Sequence, residues 1–275
     1  MLLEQASRTA LLVAAYRARA SAKPDPICDD PWAAALAGDE GLALAEAHDR
    51  AYPPMELWVA VRTAYLDAQV RYFTAPPLAF DQIVVLGAGL DTRAARLRGP
   101  GLAFFEVDHP TTQADKRRRL AALRGYPVDA AVQIACDFEV EDFLARLTHQ
   151  GFDAGRPAVI VWEGVTPYLP EVAIRATLRR VAEGCHPRTV LLFDHLGKQR
   201  PDNQTPSHEF VAGLGEQVRW GSNDPLPMLY EEGFRHVRSL SFDEACLTLT
   251  GTYAREREFR FQRMVLASRT PSPLL

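Results

Sequence analysis

The chain has 275 residues, 47% of them hydrophobic, with 31 Lys and Arg against 35 Asp and Glu, for a formal net charge of -4. That is enough apolar chain for one large α/β domain, and the dispersed charge argues against a nucleic-acid partner, which calls for a concentrated basic footprint. Cys28, Cys136, Cys185 and Cys246 have no paired spacing and no companion histidines, so no metal site is expected and free thiols in a reducing cytoplasm are. The N-terminus lacks the pattern of a signal peptide, and no run approaches a membrane span, so no membrane partner is expected.

In chain order, Leu11, Ala14, Ala15 and Ala18 recur at helical spacing and predict an amphipathic helix over 2–21. Lys23-Pro24-Asp25-Pro26 ends it, and Asp30-Pro31 opens a short second helix. After Pro54 a longer helix carries Trp58, Val61, Tyr65, Ala68 and Tyr72 down one face until Pro76-Pro77. From residue 82 strands and helices alternate, with strands near 82–87, 103–108, 131–135, 157–163 and 189–194. This pattern is that of a doubly wound, mostly parallel α/β sheet. Lys116-Arg117-Arg118-Arg119 lies in a helix ending at Gly125 and reads as a solvated face. A long polar segment from Gly197 to Pro227 reads as a lid. Strands at Arg235–Leu240 and Phe259–Ala267 are expected to add an antiparallel edge. The chain thus divides into an N-terminal helical cap (1–80), a cofactor-binding core (81–195), and a lid with edge strands (196–275), all within one domain.

The most informative stretch is Gln82-Ile83-Val84-Val85-Leu86-Gly87-Ala88-Gly89-Leu90-Asp91-Thr92-Arg93. A buried β-branched strand breaks into a glycine turn, where the backbone can approach a ligand without a Cβ in the way. In an open α/β sheet the carboxyl ends of the strands form the ligand crevice. The next strand, Ala103–Val107, ends in Asp108, placed to accept hydrogen bonds from two ribose hydroxyls. A dinucleotide fingerprint wants a third glycine where this chain has Thr92. Asp91 in the turn would repel a pyrophosphate but can help orient the ammonium of an amino-acid cofactor, which favours S-adenosylmethionine over NAD.

Other side chains converge on the same crevice. Arg62 borders the buried face of its helix and needs a partner, either a cofactor carboxylate or a structural acid. Asp137 and Phe138 follow the third strand, where they can meet an adenine, and Glu163 ends the fourth. Tyr168 and Trp220 are candidates for a substrate wall or for core. His195, just past the fifth strand, is either a general base or a structural hydrogen-bonder.

At these residues the chain resembles the leucine carboxyl methyltransferase-like S-adenosylmethionine-dependent enzymes, particularly their bacterial branch, which includes polyketide carboxyl methyltransferases. The resemblance rests on Thr9–Ala18, Asp30-Pro31-Trp32-Ala33, Val61-Arg62-Thr63 with Leu66-Asp67, Leu86–Arg93, Glu106–Pro110 and Trp162–Leu169. It covers residues 1 to about 195 and is looser beyond. It implies a Rossmann-like class I methyltransferase sheet, with Arg62 holding the methionine carboxylate and Gly87, Ala88 and Gly89 letting the backbone approach. It further implies Asp108 on the ribose, with Glu106 nearby behind it or as the alternative ligand, Asp137 and Phe138 at the adenine, and Glu163 beside the methionine ammonium or the reacting centre. The implied reaction is O-methylation of a small-molecule acceptor by a monomer or homodimer, with no metal. A carboxyl acceptor needs no base, because its reference pKa of about 4 leaves it ionised. A phenolic or alcoholic acceptor would enlist His195, and a non-catalytic cofactor-binding protein is the alternative of another class.

Overall fold

The computed structural model describes residues 7–138, 140–198, 206–251 and 262–273. Helix α1 (Arg8–Ser21) starts at Ser7, whose hydroxyl accepts from the Ala10 amide and so satisfies one of the free donors of the first turn. Residues 2–6 of the expected first helix lie outside the described residues. Helix α2 (Ala33–Asp49) is longer than the short helix expected after Asp30-Pro31, and it bends at Gly38. Helix α3 (Met55–Thr74) buries Trp58, Val61, Tyr65 and Phe73, as its periodicity requires.

The core strands are β1 (Gln82–Leu86), β2 (Ala103–Asp108), β3 (Val132–Ala135), β4 (Ala158–Trp162) and β5 (Val190–Leu196). They alternate with α4 (Arg93–Leu97), α5 (Pro110–Ala121), α6 (Phe143–His149) and α7 (Glu171–Gly184). Next come α8 (Pro206–Gly213), α9 (Leu226–Glu231), β6 (His236–Ser241), α10 (Phe242–Thr250) and β7 (Gln262–Ser268). The first three residues of the expected last strand lie outside the described residues. The sheet order is β3-β2-β1-β4-β5-β7-β6, parallel through β5, with β7 antiparallel to both β5 and β6.

Strand alternation divides the core between the two faces of this sheet. Ile83, Val159, Val161, Val190 and Leu192 pack with α1 to α3. Val84, Leu86, Ile160, Trp162, Leu191 and Phe193 pack with α6, α7 and α9. The strands carry apolar side chains on both faces because both are covered by helices. The N-terminal helices therefore form one of the two layers, and they roof the carboxyl ends of β1, β4 and β5.

Charge corrects one expectation on this frame. Lys116 is fully buried and donates to Glu106 Oε2 at 2.6 Å, while Arg117 and Arg118 remain exposed. The basic run is a solvated face at two positions and a buried ion pair at a third.

Candidate active site

A cavity of about 730 Å³ opens over the carboxyl ends of the parallel strands. That is within the usual range for a cofactor or ligand pocket. Its floor is the glycine turn. Gly87 has φ +65°, and a Cβ built there would lie 2.3 Å from Val165 Cγ2. Gly89 has φ +47° and would press on Ala10 of α1. Only glycine fits a left-handed backbone held this tightly against a loop and a helix.

Asp108 ends β2 and accepts from the amides of Gly89 and His109, the latter at 2.6 Å. Two donors fix the carboxylate without exhausting it, since an ionised carboxylate accepts about four hydrogen bonds. Burial pushes its pKa above the usual value, against the two amides. Glu106, one pleat lower, is 1% exposed, is held by Lys116 and does not line the cavity. This removes it as the alternative ribose ligand, because its side chain is sealed beneath the turn rather than open to the crevice. Asp137 and Phe138 line the cavity past β3, and Phe138 packs on Phe143 at 5.8 Å between ring centres.

The other functional side chains belong to one buried row of charges. Arg17 of α1 pairs with Asp30 at 2.9 Å, and Asp30 lies 3.9 Å from Arg96 and accepts from Thr92. Arg96 pairs with Asp67, and Asp67 accepts from Arg93 Nε at 2.7 Å. Arg93, 1% exposed, also pairs with Asp91 and reaches Glu163 Oε2 at 2.6 Å. Glu163 Oε1 accepts from Arg62 Nε at 2.8 Å, and Arg62 Nη1 donates to Asp194 Oδ2 at 2.9 Å. The motif residues of the helical cap, the turn and the strand ends are thus members of a single network. Buried charges demand such partners, because each ion removed from water costs several kcal/mol unless paired.

The electrostatics follow from the pairing. Burial alone would raise Glu163, but the guanidiniums of Arg93 and Arg62 outweigh it and hold the carboxyl below its usual range. Burial likewise acts against Asp91, and Arg93, Lys116, Arg96 and Arg17 together bring it down to about 2. Arg62 resolves both readings of its helix position. It has structural partners in Glu163 and Asp194, stacks over Trp58 at 5.5 Å, and also lines the cavity.

Of the residues singled out in the sequence, Arg62, Gly87, Ala88, Gly89, Asp91, Asp108, Asp137, Phe138, Glu163 and Tyr168 meet at this cavity. His195 does not. It is fully buried on the opposite face of the sheet, between Phe193 and Trp220, with Nδ1 on the Leu196 carbonyl at 3.0 Å and Nε2 without a hydrogen-bond partner among the described residues. Burial lowers its pKa. Its assignment as a general base is therefore withdrawn, and Trp220, packed against it, is core. Tyr168 sits on the 3-10 turn Thr166–Tyr168, and burial together with Glu216 pushes its phenol up, so at neutral pH it donates hydrogen bonds.

Sequence reasoning missed several residues of the wall. Asp194 is the acid at the end of the fifth strand, overlooked beside the more conspicuous His195. Lys198, Glu216 and Arg219 come from the lid segment, as do Ser207 and Val211. Ser7 donates to Glu216 at 2.6 Å, and Ser207 bonds His48 of α2 at 2.8 Å, so this segment is tied to the N-terminal helices at two points. Residues 199–205 of the expected lid lie outside the described residues. Among the described residues, Lys198 and Arg219 are wall cations outside the buried row, and both are exposed.

Acids dominate the strand ends, with Asp91, Asp108, Asp137, Glu163 and Asp194 in the wall against Arg17 and Arg62. Such a wall fits a nucleoside bearing a cationic amino-acid end and opposes a pyrophosphate.

Comparisons with known proteins agree. The leucine carboxyl methyltransferase family model matches residues 10–182. A protein of Mycobacterium ulcerans, named for S-adenosyl-L-methionine-dependent methyltransferase activity, is 34% identical over 258 residues, covering 86% of this chain and 84% of its own length. A similarly named protein of Mycolicibacterium smegmatis is 36% identical over 247 residues, covering 83% and 78%. Among solved structures, a DUF574 family protein from Streptomyces avermitilis superposes with a TM-score of 0.67 at 13% identity, covering 94% of this chain and 97% of that one. A protein from Thermobifida fusca assigned as a methyltransferase gives a TM-score of 0.62 at 16% identity, covering 98% and 97%. At these identities the two structures bear on the fold alone.

Proposed function

The chain belongs to the leucine carboxyl methyltransferase family of S-adenosylmethionine-dependent methyltransferases, and from that membership we propose that it methylates a carboxyl oxygen of a small-molecule acceptor in this cavity. The observation that carries the reading is the division of charge around the wall. Acids and their paired arginines gather at the strand ends, where the cofactor end belongs. The exposed Lys198 and Arg219 stand on the lid side, where an anionic acceptor would enter. Between them Val13, Met55, Trp58, Leu169, Leu196 and Val211 provide an apolar lining.

S-Adenosylmethionine supplies a methyl group on a sulfonium, whose departure as a neutral sulfide needs no metal. The chain's own part is binding, alignment and exclusion of water. Asp108 is oriented to receive ribose hydroxyls, Gly87 and Gly89 permit close approach, and Arg62 offers a guanidinium edge to the amino-acid carboxylate. A carboxylate acceptor is ionised at neutral pH and asks no base of the wall. With His195 turned away and Tyr168 protonated, the wall suits that acceptor better than a phenol, which would gain from a base. Roofed by the cap helices and the lid, the apolar lining would keep water from the reacting pair.

The test is chemical. The purified protein is incubated with methyl-labelled cofactor and matched panels of carboxylic acids and phenols. Label incorporated into acids and released by mild alkali is the expected outcome. An alkali-stable methyl ether would assign the hydroxyl reaction instead, and cofactor binding with no transfer to either panel would favour a cofactor-binding protein without turnover.

A further inference from the structure

We propose that Asp194 is a partner of the cofactor's α-ammonium group and, with Arg62, forms a two-charge clamp that reads the zwitterionic end of an amino-acid nucleoside. The inference rests on the cofactor assignment above and adds a residue to it. Glu163, which the family resemblance sets beside the ammonium or the reacting centre, lines the same wall, and Asp194 is a second acid on the same guanidinium.

The buried charges alternate in sign along a continuous row: Arg17, Asp30, Arg96, Asp67, Arg93, Glu163, Arg62 and Asp194. Every carboxylate inside the row has a guanidinium on either side. Glu163 is the clearest case, with one oxygen on Arg62 at 2.8 Å and the other on Arg93 at 2.6 Å. Asp194 ends the row at the cavity wall with a single guanidinium, that of Arg62. Asp91 branches from Arg93, so four arginines face five carboxylates and the assembly is one positive charge short at formal count. A buried carboxylate with one cation neighbour is the place where a further cation gains most, because low surrounding polarizability strengthens the attraction.

Asp194 is also built to stay in place. It is 1% exposed, Oδ1 accepts from the Gly164 amide at 2.6 Å, and its carbonyl accepts from Thr166 Oγ1 at 2.6 Å. These bonds join β5 to the loop after β4. They leave the carboxylate capacity for another donor, since it accepts about four hydrogen bonds in all. An α-amino acid carries its carboxylate and ammonium on one carbon. Arg62 and Asp194, already in contact, present the complementary pair of charges side by side.

The experiment is a calorimetric titration of four ligands. S-Adenosylmethionine, S-adenosylhomocysteine and sinefungin all carry the α-ammonium, whereas 5′-methylthioadenosine keeps the nucleoside and lacks the amino-acid end. In Asp194→Asn the first three should bind about ten- to a hundred-fold more weakly, as for a lost charge-assisted hydrogen bond. 5′-Methylthioadenosine should change less than about threefold by the same measure. Asp194→Glu should recover part of the loss. Equal weakening of all four ligands would mean a structural residue, and unchanged affinity for the first three would mean that Asp194 does not meet the ammonium; either overturns the proposal. Should Asp194→Asn not fold, Asp194→Ser, which keeps an oxygen and drops the charge, is read by the same criteria. Wild-type protein that binds none of the four would instead sink the cofactor assignment itself.

Discussion

Arg62 is at once a member of the buried charge row and part of the cavity wall. Its guanidinium is buried, and two of its nitrogens are committed to Glu163 and Asp194. Removing it would leave two buried carboxylates short of a cation, so Arg62→Ala should cost about 3–5 kcal/mol of stability, the usual penalty for breaking a buried pair from one side. Cofactor affinity should fall as well, because the edge facing the cavity goes with the rest. Arg62→Lys should lose less, since a single ammonium can hold one of the two acids but lacks the planar fork. Urea unfolding and ligand titration on the same preparations check this. Weak binding with unchanged stability would mean that Glu163 and Asp194 find other partners. The helix spacing of Arg62 was legible in the sequence as a buried charge in need of a partner. The choice of partner was not, because Glu163 and Asp194 lie 101 and 132 residues away along the chain.

At the scale of elements, the sheet was readable and the phase of its last parallel strand was not. Strand β2 follows the expected bounds, and β1, β3 and β4 fall within theirs, since a β-branched run ending at glycine or an acid is a local signal. The fifth strand was expected to stop at 194, which would have freed His195 to turn into the crevice. Instead β5 pairs with β7 through Leu196, so the pleat continues and sends Asp194 and His195 to opposite faces. The pairing partner lies some seventy residues on, beyond the reach of a local pattern. Lys116 has the same cause in a helix, where a run of four bases must turn at least one inward, here onto Glu106. The segment from Gly197 to Pro227 was legible only as a long polar stretch, because its bonds to Ser7 and His48 span most of the chain. If the phase argument is right, His195→Gln should keep turnover within about threefold of wild type, whereas loss of a general base would cost on the order of 10²–10⁴. The pH–rate profiles of the two proteins should then overlay.

Across the whole molecule, buried histidines should set how stability responds to mild acid. His48 is fully buried between Tyr16 and Ser207, His195 is sealed behind the sheet, and His208 is half-buried in the lid. Burial lowers all three from the ordinary value of 6.5. A lowered folded-state value means that, below about pH 6.5, the unfolded chain takes up protons that the native chain refuses. Their contribution is therefore fully present above that pH and lost as pH falls toward the folded values, at about 1.4 kcal/mol per pH unit for each whole proton of difference. Asp108 and Glu106 work in the other direction. Burial raises them from 3.8 and 4.5, so what they contribute is present at low pH and lost as pH rises through their folded values. Glu163 and Asp91, held down by arginines, lose their contribution only below the ordinary carboxylate range, Asp91 toward about 2. With three histidines set against two raised carboxylates, stability should be flat from pH 8 to about 6.5 and should decline between 6.5 and 5, before a steeper loss below pH 4 as Glu163 and Asp91 are protonated. Urea midpoints taken at half-unit steps of pH measure this directly. His195→Gln should make the decline between 6.5 and 5 shallower by up to one proton's slope. A wild-type curve that rises over that interval would show that Asp108 and Glu106, and not the histidines, govern the acid response of this fold.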